Sequence, residues 1–158
     1  MKLYSAAASP FGRTDKIAAH ELGLIDRVEV IAPTVAPTKE NAAFQALNPL
    51  RKIPALELSD GMVLADSALI VGYLAHAAGD RELLASDQPN RWQVLNNYMI
   101  AKGLADCAVA ARYETFVRPE DLRWGAWVED LMDKISAGLL KFEKAPPAVG
   151  QKLTIDVI

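Results

Sequence analysis

Cysteine is almost missing from this chain of 158 residues, which holds only Cys107. A lone cysteine forms no internal disulfide and offers no zinc-ligand spacing. It fits the reducing cytoplasm, the expected location. Histidine is nearly as scarce. His20 and His76 are isolated, with no ligand spacing to each other, so no metal site is expected. No run of about 18 apolar residues occurs, which leaves no membrane-spanning helix. Ala6-Ala7-Ala8-Ser9-Pro10 is too short and too weakly apolar for a secretion signal. Basic blocks are missing too. The 17 Lys and Arg residues are interspersed with 20 Asp and Glu, for a net charge of −3, which argues against nucleic acid as a partner. No internal repeat or low-complexity tract occurs. The remainder, 51% hydrophobic and 23% charged, is an ordinary globular balance.

Local patterns divide the chain in two. Leu3 to Ser5 reads as a short buried strand. Ser9-Pro10 opens a helix, since Ser is a strong N-cap and Pro suits the first helical position. Ile17, Ala18 and Leu22 recur at helical spacing, and Gly23 ends the segment. Val28 to Ile31 is a second strand, so residues 2–32 imply a right-handed β-α-β crossover. Residues 33–40 read as loop. Asn41 to Leu47 is a short helix stopped by Asn48-Pro49. Ala55 to Leu58 and Met62 to Leu64 pair as a hairpin across Ser59-Asp60-Gly61. Asp66-Ser67 caps a helix to about Ala78. The order β-α-β-(α)-β-β-α is a thioredoxin-like α/β plan over residues 1–79. A polar connection, 80–88, leads to an all-α domain at 89–158. Its first long helix covers Asn90 to Val117. Its second covers Glu120 to Lys144 and turns Leu122, Val128, Leu131, Ile135, Leu139 and Leu140 to a core. Residues 153–158 resemble the start of another apolar helix, too short to stand alone, so a truncated helical domain is expected.

Three segments carry chemistry. Ser9 lies between the first strand and the first helix, where unpaired N–H groups and the helix dipole favour an anion. A free thiol with a pKa of about 8.5 is mostly protonated at neutral pH. Lowering that value by about two units, worth roughly 2.7 kcal/mol, makes the thiolate dominant. A hydroxyl donating to the sulfur would assist. Ser9 reads equally as a plain N-cap. Ile53-Pro54 enters a strand, where proline cannot donate to the ladder. A cis bond there would turn the Ile53 N–H and C=O outward to pair with an extended peptide, and a trans proline at a strand start is the other reading. Asp66-Ser67 at a helix N-terminus offers an anion site beside a carboxylate, which suits an α-amino acid head group, and reads otherwise as capping.

The order and spacing of these segments resemble the N-terminal domain of cytosolic glutathione S-transferases of the Ser/Cys type. The stretch Asn48-Pro49-Leu50-Arg51-Lys52-Ile53-Pro54-Ala55-Leu56, followed by Asp66-Ser67, carries most of the likeness. Arg112-Tyr113-Glu114 and Arg118-Pro119 match a common bacterial pattern in the helical part. The resemblance implies Ser9 as the catalytic group and glutathione as co-substrate, with no metal. It implies that Ile53, before a cis Pro54, bonds the cysteinyl backbone. Asp66 and Ser67 would hold the γ-glutamyl head, with Lys52 and less surely Arg51 near the glycyl carboxylate. Phe11 and Tyr113 would line the pocket of a small hydrophobic electrophile, with a homodimer as the assembly and detoxification as the role. Ser9-Pro10-Phe11-Gly12 is also similar to the Cys-Pro segment of omega-type members and glutaredoxins. With Ser in place of the first Cys, no protein thiol is left to form a mixed disulfide.

Departures stand beside the likeness. Relatives often carry Asp where this chain has Lys102, which puts any contact from that helix in doubt. Family members are also longer. Cys107, Trp92, Trp124 and Trp127 are expected to pack inside helical faces, and Tyr98 to pack or reach the second-substrate pocket. Tyr4, inside the first strand, is less well placed than Ser9 to meet a sulfur. The alternatives to transfer are a non-catalytic stress or regulatory binding protein on the same fold, or a glutathione-dependent lyase, dehalogenase or isomerase.

Overall fold

The computed structural model describes residues 1–158. Its first half is built on a four-stranded sheet. Strands β1 (Lys2–Tyr4), β2 (Glu29–Ile31), β3 (Ala55–Glu57) and β4 (Val63–Leu64) lie in the order β2-β1-β3-β4. β1 and β2 are parallel, with Leu3 opposite Val30, and helix α1 (Pro10–Glu21) makes the crossover. β3 runs antiparallel to both neighbours, pairing Leu56 with Leu3 on one side and Leu64 on the other. Helices α2 (Ala42–Leu47) and α3 (Ser67–Ala78) complete the thioredoxin-like order expected from the sequence. Turn chemistry sets the limits. Gly23, Gly61 and Gly79 take φ values of +66°, +86° and +65°, which end α1, turn the β3–β4 hairpin and close α3. Asn41 caps α2 through the Phe44 N–H at 3.0 Å.

The core lies between the sheet and the helices α1 and α3. Leu3, Leu56, Ile70, Val71 and Leu74 are all buried. A fully buried side chain of this size stabilises the fold by about 1.5–3 kcal/mol. The same cluster continues into Leu83, Ala85, Val94, Tyr98 and Ile155. The connection 80–88, polar by composition, therefore seats Leu83 and Ala85 in the core. Asp80 makes this possible, because its Oδ1 accepts the N–H groups of Glu82 and Leu83 at 2.9 and 2.7 Å and folds a turn that points Leu83 inward.

Two helices dominate the second half, α4 (Arg91–Phe116) and α5 (Gly125–Lys144). α5 starts five residues later than its apolar pattern suggests. Glu120–Leu122 form a 3-10 turn, and Trp124 is extended because its N–H donates to the Glu114 carboxylate at 2.8 Å. Of the expected core stripe, Leu131 is buried, whereas Leu122, Leu139 and Leu140 are exposed. The helix has α4 as its principal neighbour and covers one side only. The tryptophans depart from expectation in the same way. Trp92 and Trp124 are largely exposed, and Trp124 and Trp127 stack on each other with centroids 6.4 Å apart. Cys107 is half-buried. Residues 155–157 make a single turn, with Ile155 buried and its N–H on the Leu83 carbonyl at 2.8 Å. No helix is long and apolar enough to cross a membrane.

Candidate functional site

Ser9 is the N-cap of α1, just past β1. Its Oγ accepts the Gly12 N–H at 3.1 Å. A hydroxyl has two acceptor lone pairs and one proton. Capping uses a lone pair and leaves the O–H free to donate, so the capping and chemical readings of Ser9 do not compete. Gly12 is the residue that lets the first turn lie this close to β1. A Cβ there would overlap Ser5 Oγ, and Ser5 is itself buried. Tyr4 is engaged elsewhere. Its hydroxyl donates to Glu57 Oε2 at 2.7 Å, and that hydrogen bond, with burial and the charges of Glu57 and Glu29, raises its pKa.

The segment before β3 is organised by a buried asparagine. Asn48 donates from Nδ2 to the Lys52 carbonyl at 2.8 Å, and its Oδ1 accepts the Leu50 N–H at 3.1 Å. Its own carbonyl accepts from Arg51, whose φ is +54°. This tight loop delivers Ile53 and Pro54 to the start of β3, and the Ile53–Pro54 bond is cis. Pro54 is buried, Ile53 is half-buried, and the Lys52 side chain is exposed.

Asp66 and Ser67 start α3. The Asp66 Oδ1 accepts the Ala68 N–H at 3.1 Å, and the Ala65–Asp66 bond is also cis. Ser67 is buried beneath the helix end. The first N–H groups of α3 have no partner within the helix, which makes this end receptive to an anion.

Helix α4 reaches this end. Lys102 Nζ lies 3.2 Å from Asp66 Oδ2 and 3.5 Å from Asp106 Oδ2. Its ammonium also sits 5.3 Å from the centre of the Phe11 ring. Partial burial pulls the Lys102 pKa down, and the hydrogen bonds and charges of Asp66 and Asp106 outweigh it, so the net shift is upward. Where relatives often carry Asp, this helix thus brings a cation to the start of α3. Asp15 lies beneath. It is fully buried on α1 with both carboxylate oxygens unpartnered. Burial, with a smaller push from the Asp66 charge, raises its pKa to about 8. Tyr98 is buried on α4, and its hydroxyl faces Ser67 without reaching hydrogen-bond geometry. Burial raises its pKa to about 12.

The structure thus joins Phe11, Asp66 and Ser67 into one region through Lys102 and Tyr98. Tyr113 is not drawn in. It is half-exposed and lies eleven residues beyond Lys102, about 16 Å along the helix axis. Asp15 and Lys102 join this region without being among the residues expected there. A signal for Asp15 was present, because Phe11, Asp15, Ala18 and Leu22 fall on one helical stripe and Asp15 is its one acidic member. Lys102 had no such signal, because its partner is 36 residues away in sequence.

A mixed four-stranded thioredoxin-like domain followed by a pair of long helices defines the class of protein to which this chain belongs. The family described as "Glutathione S-transferase, N-terminal domain" matches residues 8–77. A glutathione transferase family member from Pseudomonas fluorescens Pf-5, solved with bound glutathione, is 35% identical, with a TM-score of 0.87 over 91% of this chain and 70% of that one. A glutathione S-transferase from Methylobacillus flagellatus KT, solved with glutathione bound, is 30% identical, with a TM-score of 0.82 over 98% and 76%. One from Methylobacterium radiotolerans JCM 2831, in complex with glutathione sulfonate, is 27% identical, with a TM-score of 0.84 over 98% and 73%. No curated protein matches the chain. The chain belongs to the glutathione transferase family.

Proposed function

We propose that this chain binds glutathione and activates its thiol for attack on a small, apolar electrophile. The observation that carries this is the hydrogen bonding of Ser9, whose Oγ takes the Gly12 N–H and keeps its own proton for a sulfur at the positive end of α1. A donor hydrogen bond and the helix end both favour S⁻ over SH. The thiol proton passes to solvent. The thiolate then forms a carbon–sulfur bond, and either a leaving group departs with its electron pair or an activated double bond receives the addition. The protein supplies proximity and electrostatic stabilisation, and forms no covalent bond of its own.

The peptide is held along its length. The Ile53 backbone pairs with the cysteinyl unit, Ser67 and the α3 N-terminus take the γ-glutamyl carboxylate, and Asp66 faces the ammonium. Lys52 serves the glycyl carboxylate, and Phe11 borders the electrophile. Titration calorimetry with glutathione tests the binding; heat and a thermal shift at millimolar peptide are expected, and neither would be seen for a non-catalytic relative that binds other proteins. Ser9→Ala is expected to lower turnover more than about tenfold while glutathione affinity is mostly kept. Turnover equal to the parent would remove Ser9 from the chemistry.

A further inference from the structure

Asp15 has no part in the chemistry described so far, yet no ionisable group of the molecule is more deeply buried. It sits on α1, against which α3 and α4 pack. Neither of its oxygens has a hydrogen bond, and the Tyr98 hydroxyl, which feels its charge from α4, has none either. None of the ion pairs of the molecule includes it. Arg13 and Lys16 flank it on α1 without pairing. From α3 it faces Asp66, and from α4 it faces Tyr98, while Lys102 is committed to Asp66 and Asp106. Asp26 and Arg27 lie in the turn beyond the far end of α1. Two helix ends meet around this carboxyl. Ser9 caps α1 six residues earlier, about 9 Å along the axis, and Ser67, facing Tyr98, opens α3. Both ends favour an anion. A neutral Asp15 leaves that potential intact. A carboxylate in this weakly screened interior opposes it, with no cation at hand to compensate.

We propose that Asp15 is a positioning residue for the peptide site, which keeps the ends of α1 and α3 attractive to an anion while it holds its proton and weakens their grip once it ionises. This rests on the glutathione reading above. It places a pH limit on affinity in the protein, separate from the thiol of the peptide. Burial first, and the Asp66 charge second, bring the ionisation of Asp15 to about 8, within reach of a binding experiment. The sign follows from linkage. The peptide has a net negative charge and sets its head carboxylate on Ser67, so its arrival favours the protonated form of Asp15 and binding takes up a proton. A coupling of about tenfold between the two charges lowers affinity by about fivefold from pH 7 to pH 9.

S-methylglutathione is the probe, because its sulfur has no proton to lose. Calorimetric titration into the parent, Asp15→Asn and Asp15→Leu at pH 7, 8 and 9 provides the test. The ratio of variant to parent affinity should rise about fivefold from pH 7 to pH 9 in both variants. A loss of packing, equal at every pH, would not produce that trend. At pH 8.5, in buffers of different ionisation enthalpy, the parent should take up about half a proton more than either variant. A constant ratio, or equal proton uptake, overturns the proposal and leaves the glutathione reading standing. Should neither variant fold, the parent decides alone, and binding without proton uptake at pH 8.5 overturns the proposal. No binding to the parent at any pH overturns the glutathione reading and this inference with it.

Discussion

At the scale of single residues, Asp15 is the most unusual group. It is a carboxyl group with no hydrogen bond to either oxygen, fully buried between α1 and its neighbours. Burial first, and the nearby Asp66 charge second, raise its pKa from 3.8 to about 8. At neutral pH it is therefore mostly protonated in the native state and ionised in the unfolded chain. Between these two values the native protein holds a proton that the unfolded chain has released, so stability is complete below pH 3.8 and drains away as the pH rises through 8. One such group changes stability by at most about 1.4 kcal/mol per pH unit. Asp15→Asn keeps the shape and removes the titration. Denaturant unfolding from pH 5 to pH 9 should show the variant gaining on the parent as the pH rises. A parallel pair of pH profiles would mean that Asp15 does not titrate alone in this range. Ser9 has a separate stability role. As an N-cap it contributes about 1 kcal/mol, so Ser9→Ala should lose that much while Ser9→Gly loses only a few tenths. Comparing activity in the two variants separates the cap from the hydroxyl, and equal losses of turnover are expected because both lack the donor.

At the scale of elements, the corner between α4 and α5 depends on Glu114. Its carboxylate accepts the Trp124 N–H at 2.8 Å and the Arg118 Nε–H at 2.7 Å, which ends one helix and positions the start of the next. The Trp124 N–H, then Arg118, lower its pKa, with Arg123 adding a smaller effect. The contribution is present above the ordinary carboxylate range and is lost as the pH falls through the depressed value. Glu114→Gln should lower the thermal midpoint at neutral pH and reduce the difference from the parent under acid conditions. An unchanged midpoint at neutral pH would show that the corner holds without it. Legibility in the sequence follows the range of the interactions. The caps at Ser9 and Asp66 and the glycines ending α1 and α3 act within a few residues and are legible in the sequence, whereas Asn41, expected inside α2, is its cap. α5 starts later than its apolar pattern predicts because a carboxylate ten residues upstream captures the Trp124 N–H, which no local pattern displays. The outward Leu122, Leu139 and Leu140 reflect how much of α5 is covered, which periodicity alone does not contain.

At the scale of the whole molecule, one core joins the sheet to the helical part. Val94 and Tyr98 of α4 pack with Leu3, Leu56 and Ile70, and Ile155 of the final turn joins them. Asn97 of α4 ties the final turn and α5 together, donating to Asp156 and accepting from Lys141 at 3.0 and 3.1 Å. This continuity brings Lys102 to Asp66, so the start of α3 is met by residues of both halves. The segments that the proposed site uses are legible from their order and spacing, whereas that cross-domain contact is not.

The central claim is that Ser9 and the end of α1 turn bound glutathione into a thiolate. The most direct measurement is the ultraviolet absorbance of the thiolate, followed against pH with glutathione bound to the parent and to Ser9→Gly. The expected result is an apparent pKa of about 6.5 in the parent, two units below the free thiol, and a return towards about 8.5 in the variant. A bound thiol that titrates near 8.5 in the parent, or a lowered value that Ser9→Gly leaves unmoved, would contradict it.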